Sequence, residues 1–277
     1  KSFMTIKQLK YKLKKILFYF QYNLTRRIRI LFNIDQKTLI NGLEIVLPPE
    51  HLLTLYNYIY PKYDTFLPEL VSNIDKNMSV IDIGANVGDT LVRLIASNSK
   101  LNYYSIEADE YFFEYLKKNN EKFKINTQTK IKLIKELVGL DLVGYLKGTS
   151  SGTKSLVENN DGLKTKKLDE IILEHNINNI ALIKVDVDGY DYNVLLSGLN
   201  QIKKHKPVLF FEYIYVNELG YIDVINKLNE IGYKNWTVLN NYGVVIFENK
   251  SYAEVLSLIK SKTKSYDVLD IYCKWTR

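Results

Sequence analysis

The tightest constraint on this chain is one short run, Val80-Ile81-Asp82-Ile83-Gly84-Ala85-Asn86-Val87-Gly88-Asp89-Thr90. Its first half is apolar and rich in β-branched residues, which reads as a buried strand. Its second half places two glycines ahead of residues that can open a helix. A buried strand that runs into a helix through a glycine turn starts a strand–helix–strand unit, and such units build parallel sheets. The rest of the chain repeats the pattern. Strands are expected over 79–85, 102–108, 131–138, 181–187 and 207–214, with helices over 88–96, 110–122, 191–196 and 217–230. The tail adds extended pieces at 236–239 and 243–247, a helix over 253–260 and a last strand over 268–272. Unbroken apolar strands such as Val208-Leu209-Phe210-Phe211 fit burial on both faces. The expected fold is an α/β sheet, mostly parallel, with helices on both sides.

Before the first unit, residues 38–78 read as a lead-in: a short extended piece over 43–47, a Pro48-Pro49 turn, and a helix with Leu52, Leu55 and Tyr56. The core domain is expected from residue 79 onward, so that 38–277 form one domain behind an arm at 1–37. Residues 140–168, with Gly144, Gly148, Gly152 and Gly162 among Ser150, Ser151, Thr153 and Ser155, read as a loop-rich insertion suited to substrate contacts.

Charge is unevenly placed. The chain of 277 residues carries a net +7, yet residues 1–34 alone hold nine basic side chains and no acid. Removing those nine leaves −2 for residues 35–277, so the body is near neutral and offers no footprint for nucleic acid. Within the arm, Ile6, Leu9, Leu13, Ile16, Leu17, Phe20 and Leu24 recur at helical spacing opposite lysines. The expectation is a helix packed on the domain or on a partner chain, since helical periodicity alone rarely means membrane. The sharper alternative is an arm lying on an anionic membrane surface. One cysteine, Cys273, and three scattered histidines, His51, His175 and His205, favour neither disulfides nor a zinc site. The apolar run at 16–20 falls short of the roughly 20 residues a bilayer needs, and a cytoplasmic protein, peripheral to the membrane at most, is expected.

Chemistry concentrates where strands end. Gly84 and Gly88 would let the backbone turn close to a ligand. Nineteen residues past Gly88, Glu107 ends the next strand, placed to accept hydrogen bonds from two ribose hydroxyls. That spacing also serves NAD-binding proteins. A G-x-G-x-x-G fingerprint fails, however, because position 86 is Asn and position 89 is Asp, and no phosphate loop is present. Asp82 and Asp89 beside the turn would disfavour a pyrophosphate and suit a cation such as S-adenosylmethionine. The alternative is a plain strand-to-helix turn with Asp82 bonded to local backbone. At the second site, Lys184, Asp186, Asp188 and Asp191 cluster around a strand end, and Glu212 ends the neighbouring strand. Acids at a buried strand end need partners. They could converge on a hydroxyl, a divalent cation or both, with Lys184 as a charge partner and Asp191 as a helix cap.

The strings V-I-D-I-G-A-N-V-G-D-T, S-I-E-A-D, K-K-L-D-E-I, I-K-V-D-V-D-G-Y-D-Y-N-V-L and P-V-L-F-F-E occur in that order. Together they resemble the FkbM-type family of S-adenosylmethionine-dependent methyltransferases, from about residue 40 to the last strand. The resemblance implies the Rossmann-like class I methyltransferase fold, with seven strands and the last one antiparallel, and O-methylation of a sugar or other small or glycan hydroxyl. It implies that Asp82, Gly84, Ala85, Asn86, Gly88 and Thr90 hold the methionine part of the cofactor, with Glu107 and Ala108 on the nucleoside. Asp186, which would also contact the cofactor, Asp188 and Glu212, with Lys184 beside them, would line the side where the methyl group leaves. Asp188 and Asp191 would face the acceptor, both one methylene shorter than the family's usual Glu. Either carboxylate, Asp186 or Glu212, would take the hydroxyl's proton, or a Mg²⁺ held by Asp186, Asp188 and Glu212 would lower its pKa. Two other readings stand beside this one: a nucleic-acid methyltransferase recruited by the basic arm, and a non-catalytic module of a membrane-associated glycan assembly.

Overall fold

Runs of β-branched and aromatic residues form the central sheet of the computed structural model, which describes residues 6–124, 129–148, 153–261 and 268–276. Residues 1–5 of the basic arm, and Ser150, Ser151 and Gly152 singled out in the sequence, lie outside the described residues. The chain opens with α1 (Ile6–Phe32), a hairpin of β1 (Gln36–Ile40) and β2 (Leu43–Leu47), and short helices α2 (Leu53–Ile59) and α3 (Phe66–Ser72). The alternating core follows as β3 (Ser79–Ile83), α4 (Asp89–Ser97), β4 (Asn102–Ile106), α5 (Glu110–Lys124) and β5 (Lys130–Ile134). Strands β6 (Val143–Gly148), β7 (Lys154–Glu158) and β8 (Leu163–Lys164) make a small antiparallel sheet. Then come α6 (Leu168–Glu174), β9 (Ile180–Val185), α7 (Asp191–Leu196), α8 (Leu199–His205), β10 (Val208–Ile214) and α9 (Glu218–Ile231). The chain closes with β11 (Tyr233–Asn240), β12 (Val245–Lys250), α10 (Tyr252–Lys260) and β13 (Val268–Trp275).

The main sheet has the order β12-β11-β13-β10-β9-β3-β4-β5. From β5 to β10 neighbouring strands are parallel, and β13 runs antiparallel between β10 and β11. Every residue of β3 is buried, with Ile81 and Ile83 entering one core and Val80 the other, as a strand covered on both faces requires. The sheet has eight strands where seven were expected. The extra one, β12, exists because the Asn240 carboxamide oxygen accepts the amides of Tyr242 and Val244, each at 3.0 Å, and Gly243 takes φ +75°. That closed turn sends the chain back along the edge of β11.

Two further departures from expectation have local causes. The insertion at 140–168 is a sheet rather than loops. A Cβ on Gly144 would stand 2.3 Å from the Val157 carbonyl oxygen, and one on Gly162 would stand 2.4 Å from that of Gly144. Gly144 permits close strand approach, and Gly162 lets the bend before β8 pass against the Gly144 backbone. The other departure is α1, which does not dock through its apolar stripe. Phe18 stacks on Tyr58 with ring centroids 3.8 Å apart, the buried Tyr22 hydroxyl donates to the His51 carbonyl (2.6 Å), and Arg26 Nε donates to the Glu50 carbonyl (2.7 Å). Leu9, Leu13, Ile16, Leu17, Phe20 and Leu24, between 51% and 67% exposed, point elsewhere. Aromatic rings with backbone carbonyls to bond outcompete the aliphatic stripe for the domain. Among the described residues no helix is long and apolar enough to cross a membrane.

Candidate active site

The chain leaves β3 toward β4 and β5 on one side and returns through β9 toward β10 on the other. A sheet whose order reverses in this way has a crevice at the carboxyl ends of the two central strands. Gly84 forms its floor at φ +76°, and a Cβ there would stand 1.8 Å from the Asp186 carbonyl oxygen. No other residue type fits. Gly88, at φ +87°, caps α4, which has no side-chain cap.

Glu107, one residue past β4, is nearly buried. Its Oε2 accepts from the Asn86 amide and its Oε1 from the Asp109 amide, both at 2.8 Å. Burial pushes its carboxyl up to about 7, and each oxygen keeps a lone pair for a hydroxyl donor. Asn86 is held from behind. His51 Nδ1 accepts from the Leu53 amide (3.2 Å), so its proton is on Nε2, which donates to Asn86 Oδ1 at 3.3 Å. Burial lowers the pKa of this imidazole and keeps it neutral.

Lys184 joins the two sequence motifs. It stands directly across from Asp82 in the β3–β9 register, 3.1 Å from that carboxylate, 3.3 Å from Asp186 and 3.3 Å from the Gly84 carbonyl. Burial would lower its pKa, but Asp186 and Asp82 hold the ammonium well above its usual range. The side chain of Asp186 is 51% exposed, whereas that of Asp82 is sealed behind the wall. Asp188 takes a left-handed backbone (φ +51°) and accepts from the Thr153 hydroxyl at 3.3 Å. Burial, then the charge of Asp186, push its carboxyl up to about 7.

The cavity between these groups has about 1170 Å³ of free space, counting its open mouth. Of the residues expected from sequence, Gly84, Asn86, Thr90, Glu107, Ala108, Lys184, Asp186 and Asp188 line it. Asp82, Ala85 and Gly88 stand behind the lining and shape it. Two expectations need correction. Asp191 opens α7 rather than preceding it. Its buried carboxylate reaches back to the amides of Val187 (3.4 Å), Gly189 (3.3 Å) and Glu212 (3.2 Å), so it clamps backbone and does not face an acceptor. Glu212 pairs in register with Asp270, away from the cavity, and burial plus the charges of Asp186 and Asp191 push its carboxyl well up. Half-buried and off the lining, Glu212 is not placed as an open base. Among the described residues no group of three His, Cys, Asp or Glu is arranged to hold a metal ion, so the Mg²⁺ site has no basis.

Sequence reasoning missed several wall residues. His51, Tyr56, Tyr63 and Asp64 come from the lead-in, and Leu146, Lys154 and Leu156 from the small sheet. None belongs to a motif, and only the Pro48-Pro49 turn before His51 hinted that the lead-in folds back. Burial pushes Asp64 up to about 7. Lys154, the lining cation besides Lys184, is tied to Asp109 at 2.6 Å. Acids therefore dominate the lining, which suits a cation and repels a polyanion.

A parallel sheet with an antiparallel strand set in beside its fifth member, and a crevice of this kind at its centre, defines the class I methyltransferase architecture. Residues 82–235 match the model of the methyltransferase FkbM domain. With more than half of its length matched, the chain belongs to the FkbM methyltransferase family. Among solved structures, the FkbM methyltransferase of Methylobacillus flagellatus is similar at 16% identity and TM-score 0.49, over 78% of this chain and 50% of that one. This chain thus spans about half the length of that protein. The METTL16 methyltransferase domain is similar at 15% identity and TM-score 0.49, over 84% and 74% of the two chains. A methyltransferase from Pyrococcus furiosus gives 13% and 0.42, over 95% and 97%. Comparison with curated proteins gave no match.

Proposed function

We propose that the chain methylates a hydroxyl of a sugar or other small glycan acceptor, with S-adenosylmethionine as donor. The observation that carries this reading is the acid-lined crevice between β3 and β9, with Glu107 on one flank and the Lys184–Asp186 pair on the other. When bound, S-adenosylmethionine supplies a methyl group made electrophilic by a sulfonium. Glu107 offers its two free lone pairs to a ribose diol. Ala108, Phe112, Leu137 and Val138 give an apolar wall for a flat base. Gly84, Asn86, Thr90 and the uncapped amides of α4 receive an amino-acid end, while Asp89 and Asp186 answer its positive charges.

On the acceptor side, Asp188 takes the hydroxyl proton. Its carboxyl, at about 7, is partly ionised at neutral pH, and such help is typically worth ~10²–10⁴-fold. Tyr56, Tyr63 and Tyr190 line the cavity and suit a sugar ring by stacking. A nucleic-acid acceptor is disfavoured by the same lining, whose acids would face phosphates.

Calorimetric titration with S-adenosylmethionine, S-adenosylhomocysteine and NAD tests the cofactor. Adenosyl compounds should bind at ~µM levels to the wild type, NAD should not, and Glu107→Ala should lose the binding. Folded wild-type protein that binds neither adenosyl compound overturns the proposal.

A further inference from the structure

Two faces of α1 have separate roles. Phe18, Tyr22 and Arg26, four residues apart, dock on Tyr58, His51 and Glu50. Leu9, Leu13, Ile16, Phe20, Leu24 and Leu31 follow at intervals of three, four and seven, which on a 3.6-residue helix places them together on the side facing away. All six are exposed, Leu31 to 77%. Exposed lysines border this stripe, Lys12 along one edge and Lys10 and Lys14 along the other. An outward apolar stripe of this length on a folded domain marks an interaction surface.

We propose that α1 lies in the plane of an anionic lipid bilayer, its leucines and Phe20 entering the interface and its lysines resting on acidic headgroups. Charge complementarity selects this occupant. Residues 1–34 carry nine basic side chains and no acid, so a second copy pairing stripe to stripe would set lysines against lysines with nothing to answer them. From Leu9 to Leu31 the stripe runs roughly 33 Å but covers one face only and takes in Arg27, and α1 is not apolar enough to cross a membrane, which fits lying along the surface. The bordering lysines also have the reach to lift their ammonium groups to the headgroups while their stems stay apolar. Helix α2, which receives α1 through Tyr58, lines the cavity through Leu53 and Tyr56, so a bilayer at α1 is one helix from the site.

Flotation of the full chain with vesicles tests this independently of any methyl transfer. The chain should float with phosphatidylcholine vesicles containing phosphatidylglycerol, stay behind with phosphatidylcholine alone, and be released by high salt. The triple variant K10Q/K12Q/K14Q should bind roughly 100-fold more weakly, about fivefold per lysine. Phe20→Glu should abolish flotation without lowering the thermal midpoint, because the side chain is exposed. Wild-type protein that floats with neither vesicle, or variants that float as well as wild type, overturns the proposal. So does a wild type that stays off vesicles and elutes as a dimer which Phe20→Glu dissociates, since that assigns the stripe to a second copy.

Discussion

Asp186 and Asp188 leave the end of β9 two residues apart, yet their surroundings differ. Asp186 is half exposed and held by Lys184, while Asp188 is folded under Thr153 with its carboxyl raised to about 7 by burial. A proton acceptor works best when its pKa lies near the operating pH, which favours Asp188. It must be ionised to act, so turnover should rise with pH through about 7. Asp188→Asn should remove that limb and lower kcat by ~10²–10⁴-fold with little change in KM. A pH–rate profile of the two proteins decides it, and a limb that survives in the variant gives the role to another group. The sequence showed that acids gather here, because uncompensated charge at a buried strand end demands an explanation. It did not show that Asp191 turns back onto three amides or that Glu212 faces Asp270. Those depend on side-chain direction and strand register, which residue spacing does not encode.

At the scale of elements, the glycine turn was the most legible feature, because only glycine satisfies both its backbone and its clearance. Gly84→Ala would need φ +76° and a Cβ 1.8 Å from the Asp186 carbonyl. The strands must part for it to fit. The variant should lose about 3 kcal/mol or more in urea unfolding and should not bind S-adenosylmethionine at wild-type affinity. Gly148, with none of the described residues within 4 Å of its Cβ position, should accept Ala within about 0.5 kcal/mol, which separates clearance from the loss of a glycine as such. The strands and helices from β3 to α5 and from β9 to α9 were readable for the same reason as the turn, since burial on both faces leaves unbroken apolar runs. The small sheet was not. Glycine that lets strands close up and glycine that lets a chain turn look alike in sequence. The docking face of α1 was hidden similarly, for periodicity shows that a stripe exists but not whether aromatic anchors on the other side hold the domain better.

At the scale of the whole molecule, the crevice and the backbone clamp behind it gather acids that folding makes hard to ionise. Burial raises Asp64, Glu107 and Asp188 to about 7 and Asp191 to about 8, against ordinary values of 3.8 for Asp and 4.5 for Glu. Each of these groups binds its proton more tightly in the folded chain than in the unfolded one. Between about pH 4 and about pH 8 the native state therefore holds more protons, and stability falls as pH rises through that window. The buried His51, whose pKa is lowered, works in the opposite direction below its ordinary 6.5 but is one group against four, and Glu254, lowered to about 2, is fully exposed and acts below this window. The ligand-free protein should accordingly have a thermal midpoint that declines from about pH 6 to about pH 8. A cationic ligand reverses the trend, because it favours the ionised form of the acids it faces. S-adenosylmethionine should bind more tightly at about pH 8 than at about pH 6, and the midpoint gained by adding it should grow over the same range. Thermal scans with and without the ligand measure both quantities. A ligand-free midpoint that climbs steadily to about pH 8 would mean that the crevice acids are already ionised and answered by charges the fold supplies, and the electrostatic case for a cationic donor would fall with it.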